Sequence, residues 1–173
     1  MDREVVGKTV PTVQSPPVSK GERTRNRLMD VAYQAVIRKG FAATSIEELV
    51  EAAGVTKSGF FYHFRDKNDL ARNLLDRYQA ENDQFQADLT ARSRELSDDP
   101  LHAFLIFLKL YAEAMEELAE SHPGCMVATI TFQDQAFDRE VRQRNVDGLI
   151  TWREHFLPWL QQIAARYPPR SEV

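Results

Sequence analysis

The stretch Thr44–Phe64, TSIEELVEAAGVTKSGFFYHF, decides how the chain is read. It describes a helix, a tight turn and a second helix. The hydroxyl of Thr44 or Ser45 can accept orphan backbone N–H groups where the first helix starts, and Glu47 or Glu48 three positions on completes a capping box. Ile46, Leu49, Val50 and Ala53 then form one apolar face. Gly54 stands where that face ends, in the place of a left-handed C′ residue, and Val55 fills the corner. Thr56 caps a second, short helix whose buried side is Phe60 and Phe64, four residues apart. Lys57, Ser58, Tyr62 and His63 are left for solvent or a partner. Such a pair is either two ordinary packed helices or a helix-turn-helix, whose second helix enters a DNA major groove while the first crosses the backbone.

On the N-terminal side, Ser19 with Glu22 predicts a capping box opening a helix that turns Leu28, Val31, Ala32, Ala35 and Val36 inward and ends at Gly40. Phe41 is expected to pack under the turn. Residues 1–18 contain Pro11, Pro16 and Pro17 without sustained periodicity and read as a disordered arm. On the C-terminal side, Arg65 to Asn68 is a polar joint. Leu70, Leu74, Tyr78, Phe85 and Leu89 then recur at helical spacing to about Arg94. Asp99 caps a further helix with Pro100 at its first position, where a missing N–H costs nothing. Leu101 to Ala119 is apolar all round, which predicts burial all round.

His122 and Pro123 mark a turn. CMVATITFQDQAF, from Cys125, is rich in β-branched residues, but a lone strand would have no partner, so a short helix is expected. Asp138 caps a last long helix with Val141, Leu149, Trp152, Phe156 and Leu160 on one face, and Pro158 is expected to kink it or start a new turn. The tail begins at Tyr167. The fold class is all-α: a three-helix helix-turn-helix domain at 19–66 after the arm, then a helical body at 67–173.

Charge separates the two parts. From Lys20 to Arg77 there are 11 Lys/Arg against 8 Asp/Glu, whereas Tyr78 to Val173 carries 9 against 16. With a net charge of −4 over 173 residues, any nucleic-acid binding must come from the local basic patch rather than from a global field. Arg23, Arg25 and Arg27 lie outside the apolar stripe of the first helix, and Arg25 is the candidate phosphate contact among them. The single cysteine, Cys125, excludes an intramolecular disulfide framework and fits a reducing, cytoplasmic setting. Its neighbours are apolar, so it reads as packing. No apolar run reaches the roughly 18 residues of a membrane span, and Met1 to Ser19 lacks a secretory apolar core. No metal, cofactor or enzyme chemistry is expected: His122 and Cys125 lack further ligands nearby, and neither a nucleophile elbow nor a phosphate-cradling Gly loop occurs.

An Arg-rich leading helix followed by GFAATSIEELVEAAGVTKSGFFYHFRDKNDL, Gly40 to Leu70, resembles the DNA-binding domain of TetR/AcrR-type bacterial transcriptional regulators. Beyond Leu70 the resemblance is one of helix order and length. It implies a repressor that binds a palindromic DNA operator as a homodimer and responds to a small-molecule effector, with no cofactor. The expected DNA surface is Arg25, Thr44, Thr56, Lys57, Ser58, Tyr62, His63 and Lys67. Phe61 stands where many members carry a tyrosine that touches a phosphate, and Tyr62 or His63 can supply that contact instead. An apolar or aromatic effector is expected among Phe107, Tyr111, Met115, Met126, Phe132, Asn145, Trp152 and Phe156, with Asn145, then Gln133 and Tyr111, as polar handles. The alternative is a DNA-binding structural or partner-docking protein with a closed core. The resemblance also implies two more helices after the last one, so the chain is expected to be incomplete at its C-terminus. A lost interface would then leave an apolar patch around Phe156, Trp159, Leu160 and Ile163.

Overall fold

The computed structural model describes residues 19–119 and 124–168; the expected arm, most of the Ser121–Gly124 turn and the end of the tail lie outside them. Every regular element among the described residues is helical. Helix α1, Lys20–Lys39, opens with a reciprocal box: Ser19 Oγ accepts from the Glu22 N–H, and the Glu22 carboxylate accepts from the Ser19 N–H at 2.8 Å. Helix α2, Ile46–Ala53, is capped by Ser45, not Thr44, and ends at Gly54 with φ 62°, a left-handed conformation that only glycine takes without steric cost. Helix α3, Lys57–His63, is capped by Thr56, whose Oγ1 accepts from the Gly59 N–H.

Helix α4, Lys67–Leu96, is 30 residues long, capped by Asp66, and at about 1.5 Å per residue it spans the molecule. Helix α5, Pro100–Ala119, starts on the Asp99 carboxylate, which accepts from the Leu101 and His102 N–H groups. Helix α6, Met126–Phe132, confirms helix over strand for the β-branched run, and a 3-10 turn at Asp134–Ala136 leads into α7, Arg139–Arg166. Pro158 sits inside α7, and the helix runs through it.

Two apolar clusters hold these elements. The larger joins Leu28, Ala32, Leu49, Phe60, Phe64 and Leu70 to Ile130, Phe137 and Val141, so the core continues without a break from the helix-turn-helix into α6 and the start of α7. The smaller packs Ala103, Phe107 and Trp159 against Leu89, Phe104, Phe156 and Ile163. Long helices α4, α5 and α7 therefore close one end of the body, and α6 plugs it against the head.

Two sequence expectations differ from the structure. Helix α5 is not buried all round: it packs chiefly on α4 and α7, and Leu105 and Leu108 on its remaining side are exposed. Helix α7 turns Val141, Asn145 and Trp159 fully inward, whereas Leu149 and Leu160 are exposed with Val146, Ile150 and Leu157. Trp159, expected in an open patch, is 2% exposed and donates its indole N–H to the Pro100 carbonyl at 3.0 Å. The helix has apolar residues on two faces, and periodicity cannot say which is covered.

The junction of α4 and α7 is ionic. Buried Arg72 donates to Asp138 at 2.7 Å and lies 3.6 Å from Asp69 and 3.5 Å from Glu140. Asp138 also caps α7 through the Val141 N–H, and that bond, with the Arg72 charge, holds its carboxyl below the ordinary value of 3.8. A group whose pKa is lower when folded stabilises the fold fully above its unfolded value, and this contribution disappears as pH falls through the folded value. Asp138→Ala should therefore cost about 1–2 kcal/mol at pH 7 through the lost cap, while Asp138→Asn, still a good cap, costs less. In urea titrations across pH the deficit of the Ala variant should shrink as pH falls through the folded pKa of Asp138, because the protonated carboxyl still caps α7 but no longer pairs with Arg72. A deficit unchanged at low pH would count against the ionic part of this account.

Candidate nucleic-acid interface and internal cleft

Helix α3 is amphipathic over its 7 residues, about two turns. Phe60 and Phe64 point into the core with ring centroids 5.6 Å apart, which fixes the opposite side outward. Lys57 and Ser58 are exposed there, and Tyr62 is 83% exposed. Phe61 is also exposed, with its ring edge-on to Phe60, and it offers surface but no donor. The Thr56 and Ser58 hydroxyls lie 3.0 Å apart at the helix start, while the Lys57 ammonium reaches back to Glu47 of α2 at 2.6 Å. That exposed pair bridges the two helices of the motif, and the same hydrogen bond is the largest cause of the lowered Glu47 pKa.

The remaining expected DNA residues divide. His63 is half-buried, edge-on to Tyr62 and turned toward Gly21 at the start of α1. Arg25 is half-buried, donates to Asn73 of α4, and lies 5.5 Å from the Phe64 ring centroid. Thr44 does not reach the surface: it is 1% exposed, and its hydroxyl donates to the Gly40 carbonyl at 2.8 Å. A threonine between two loop residues carried no sequence mark of this inward turn. Lys67 sits at the start of α4 with its ammonium 4.3 Å from the Phe41 ring centroid. Burial and then the nearby Lys39 push its pKa down, so an approaching phosphate would relieve a repulsion already present.

Of the eight residues expected around an effector, Tyr111, Met115 and Trp152 line one cleft of about 440 Å³, together with Tyr33, Tyr78 and Phe85. The other five lie elsewhere. Phe107 and Phe156 pack face to edge in the smaller core cluster, centroids 5.6 Å apart. Met126 is in the larger core. Phe132, the last residue of α6, is 86% exposed because its neighbour Ile130 takes the inward place. Asn145 is buried and donates to Val127 and Thr131 of α6, so it joins α7 to α6 rather than facing the cleft. Cys125, expected in packing, is exposed at the cleft wall with its sulfur 3.4 Å from the Tyr78 hydroxyl. Burial raises the pKa values of Tyr33, Tyr78 and Tyr111, and Cys125 adds to each.

Sequence reasoning missed the joint between head and body. Gln133, just after α6, accepts from the Phe41 N–H at 3.0 Å, and Phe137 stacks on the Phe41 ring with centroids 4.2 Å apart. Gly40 has φ 88°, and a Cβ there would strike the Gln133 amide. Spacing across 92 residues carries no local signal of this contact.

Residues 28–74 match the family described as bacterial regulatory proteins, tetR family. Over 51 residues the chain is 39% identical to the HTH-type transcriptional regulator AcrR of Shigella flexneri, covering 30% of this chain and 24% of that protein. Over 99 residues it is 29% identical to the HTH-type transcriptional regulator TtgR of Pseudomonas putida, covering 57% and 44%. The chain thus spans less than half the length of these two curated relatives. A TetR-family transcriptional regulator from Agrobacterium tumefaciens superposes with a TM-score of 0.72 at 20% identity, over 85% of this chain and 74% of that one, which shows a shared fold.

The joint makes a prediction of its own. Gln133→Ala removes the acceptor of a part-buried N–H and should cost about 1–2 kcal/mol, with faster amide exchange at Phe41 than at Leu49. Gln133→Glu keeps an acceptor and should retain most of the protection. Unchanged Phe41 exchange in the alanine variant would remove Gln133 from the joint.

Proposed function

The chain belongs to the TetR family of bacterial regulatory proteins, and we propose that it is a ligand-responsive transcriptional repressor that reads a palindromic operator and releases it when a small effector binds. The observation that carries this reading is α3: a helix held from behind by Phe60 and Phe64, with Lys57, Ser58 and Tyr62 outward. A short helix of that kind enters a major groove with its first residues at the base edges. Lys67 and the Thr56–Ser58 hydroxyl pair flank it, suited to phosphate oxygens. Arg25 needs only to leave Asn73 to join them.

The effector half of the reading rests on the cleft, whose size lies within the range of small-molecule sites. The same space argues against the closed-core alternative. Its wall includes Gly124 and Cys125 at the head of α6, and α6 ends one residue before Gln133, which holds Phe41. A molecule that displaces the start of α6 therefore acts on the head through a single short helix. A palindrome also requires two copies, since one helix-turn-helix reads only a few bases. The exposed stripe of Val146, Leu149, Ile150, Leu157 and Leu160 along α7 is the apolar surface suited to self-association.

Selection of bound DNA from a random pool tests the proposal, with a recurrent inverted repeat as the expected product. On that sequence Lys67→Ala should weaken binding to all DNA and reduce the salt slope by roughly one unit. Lys57→Ala and Tyr62→Ala should each cost about 1–3 kcal/mol and relax preference at particular bases. A folded Lys57/Tyr62/Lys67 triple alanine variant with unchanged affinity would exclude α3 as the reading helix. Sedimentation over a concentration series should show Leu157→Lys shifting a dimer toward monomer.

A further inference from the structure

The cleft has a charge character that its size does not convey. Its floor is aromatic, with Tyr78, Phe85, Tyr111 and Trp152 at the wall, and its one described ionisable carboxylate is Glu81. An adjoining recess of about 100 Å³ shares Tyr78, Asn82 and Trp152 with it and adds Asp83 and Asp147. No lysine or arginine is among the described residues lining either space. The guanidinium nearest Glu81 by pairing is Arg77, which donates to Asp30 at 2.7 Å and leaves its Nε 3.8 Å from the Glu81 carboxylate, beyond hydrogen-bond reach.

We propose that this cleft and its recess take an organic cation: a molecule with one or more aromatic rings and a permanent or protonated positive centre, held by aromatic faces and by the carboxylates of Glu81, Asp83 and Asp147. The proposal rests on the effector reading and names the chemistry of the effector. Three ligand types separate cleanly on these walls. An anion would meet three carboxylates and no lysine or arginine among the described lining residues, and the Arg77 guanidinium is already engaged with Asp30 and Glu81, so it gains little to offset leaving water. A neutral ring gains apolar contact but is indifferent to the carboxylates. A cation gains the contact, the attraction of each ring face it covers, and the carboxylate field. Raised pKa values keep Tyr33, Tyr78 and Tyr111 uncharged at neutral pH, so their rings act as neutral faces and donors. The sulfurs of Met115 and Cys125 add polarizable surface beside them.

Calorimetric titration of the DNA-free protein with tetraphenylphosphonium and with tetraphenylborate, ions of similar size and opposite charge, tests the assignment. The phosphonium should bind about tenfold tighter or more and quench Trp152 fluorescence. A net charge of −4 attracts any cation weakly, so a site variant is needed to locate the effect. Glu81 is exposed, and Glu81→Gln should leave the melting temperature unchanged while weakening phosphonium binding about three- to fivefold. Borate binding that equals or exceeds phosphonium binding, no heat from either ion, or phosphonium affinity indifferent to Glu81→Gln would each overturn the proposal. The titration contains no DNA, so such a failure leaves the operator reading standing. A failed operator selection, conversely, leaves the measured charge preference intact.

Discussion

Phe41 sits where head and body meet, and the arrangement of both depends on how it is held. Its N–H is taken by Gln133, its ring is covered on one side by Phe137, and Lys67 lies over the ring at the start of α4. These three partners come from three parts of the chain: the exit of α6, the entry to α7, and the first residue of α4. Gly40 makes the approach possible, because a side chain there would occupy the space of the Gln133 amide. Arg72 repeats the pattern one turn along α4, joining that helix to the α7 cap. Head orientation is thus set by a few polar contacts laid over a continuous apolar core.

The same economy governs the outward face. Much of the positive charge near α3 is already engaged within the protein: Lys57 with Glu47, Lys39 with Glu48, Arg25 with Asn73. Exposed pairs of this kind contribute between nothing and about 1 kcal/mol, so exchanging a carboxylate for a phosphate is cheap. They nonetheless hold Lys57 and Lys39 against α2 and Arg25 against α4. Lys67 differs because its partner is a ring, and its lowered pKa reflects burial beside another cation.

What the sequence disclosed follows from the range of the forces involved. Caps are local, so Ser19 with Glu22, Thr56 and Asp138 were legible, as were Gly54 and the inward pair Phe60 and Phe64. Helix for the β-branched run was reached only by excluding a partnerless strand. Long-range contacts were not legible. Asn145 and Gln133 were marked as polar and inward, yet their partners are Val127, Thr131 and Phe41 rather than a ligand. On α7, both faces are apolar, and only the packing of α4 and α5 decides that Trp159 is buried while Leu160 is not. Cys125 looked like core because its neighbours are apolar, but an N-cap position at a short helix leaves it at the cleft wall.

The strength of the joint bounds what any event in the cleft can do. A ligand shifts the head only by its difference in affinity for two arrangements, and typical couplings between sites amount to about 1–3 kcal/mol. The Gln133 hydrogen bond is worth about 0.5–1.5 kcal/mol and the Phe41–Phe137 stack about the same again. Their sum is of the same size as such a coupling, but α6 is held as well by Met126 and Ile130 in the larger core and by Asn145, so the two contacts shift only with repacking of that core. Arg72 resists the same motion, since freeing it would leave a buried guanidinium without its shortest partner. Of the two links between the head and the start of α7, the contacts around Phe41 are therefore the weaker and the Arg72 ion pair the stronger.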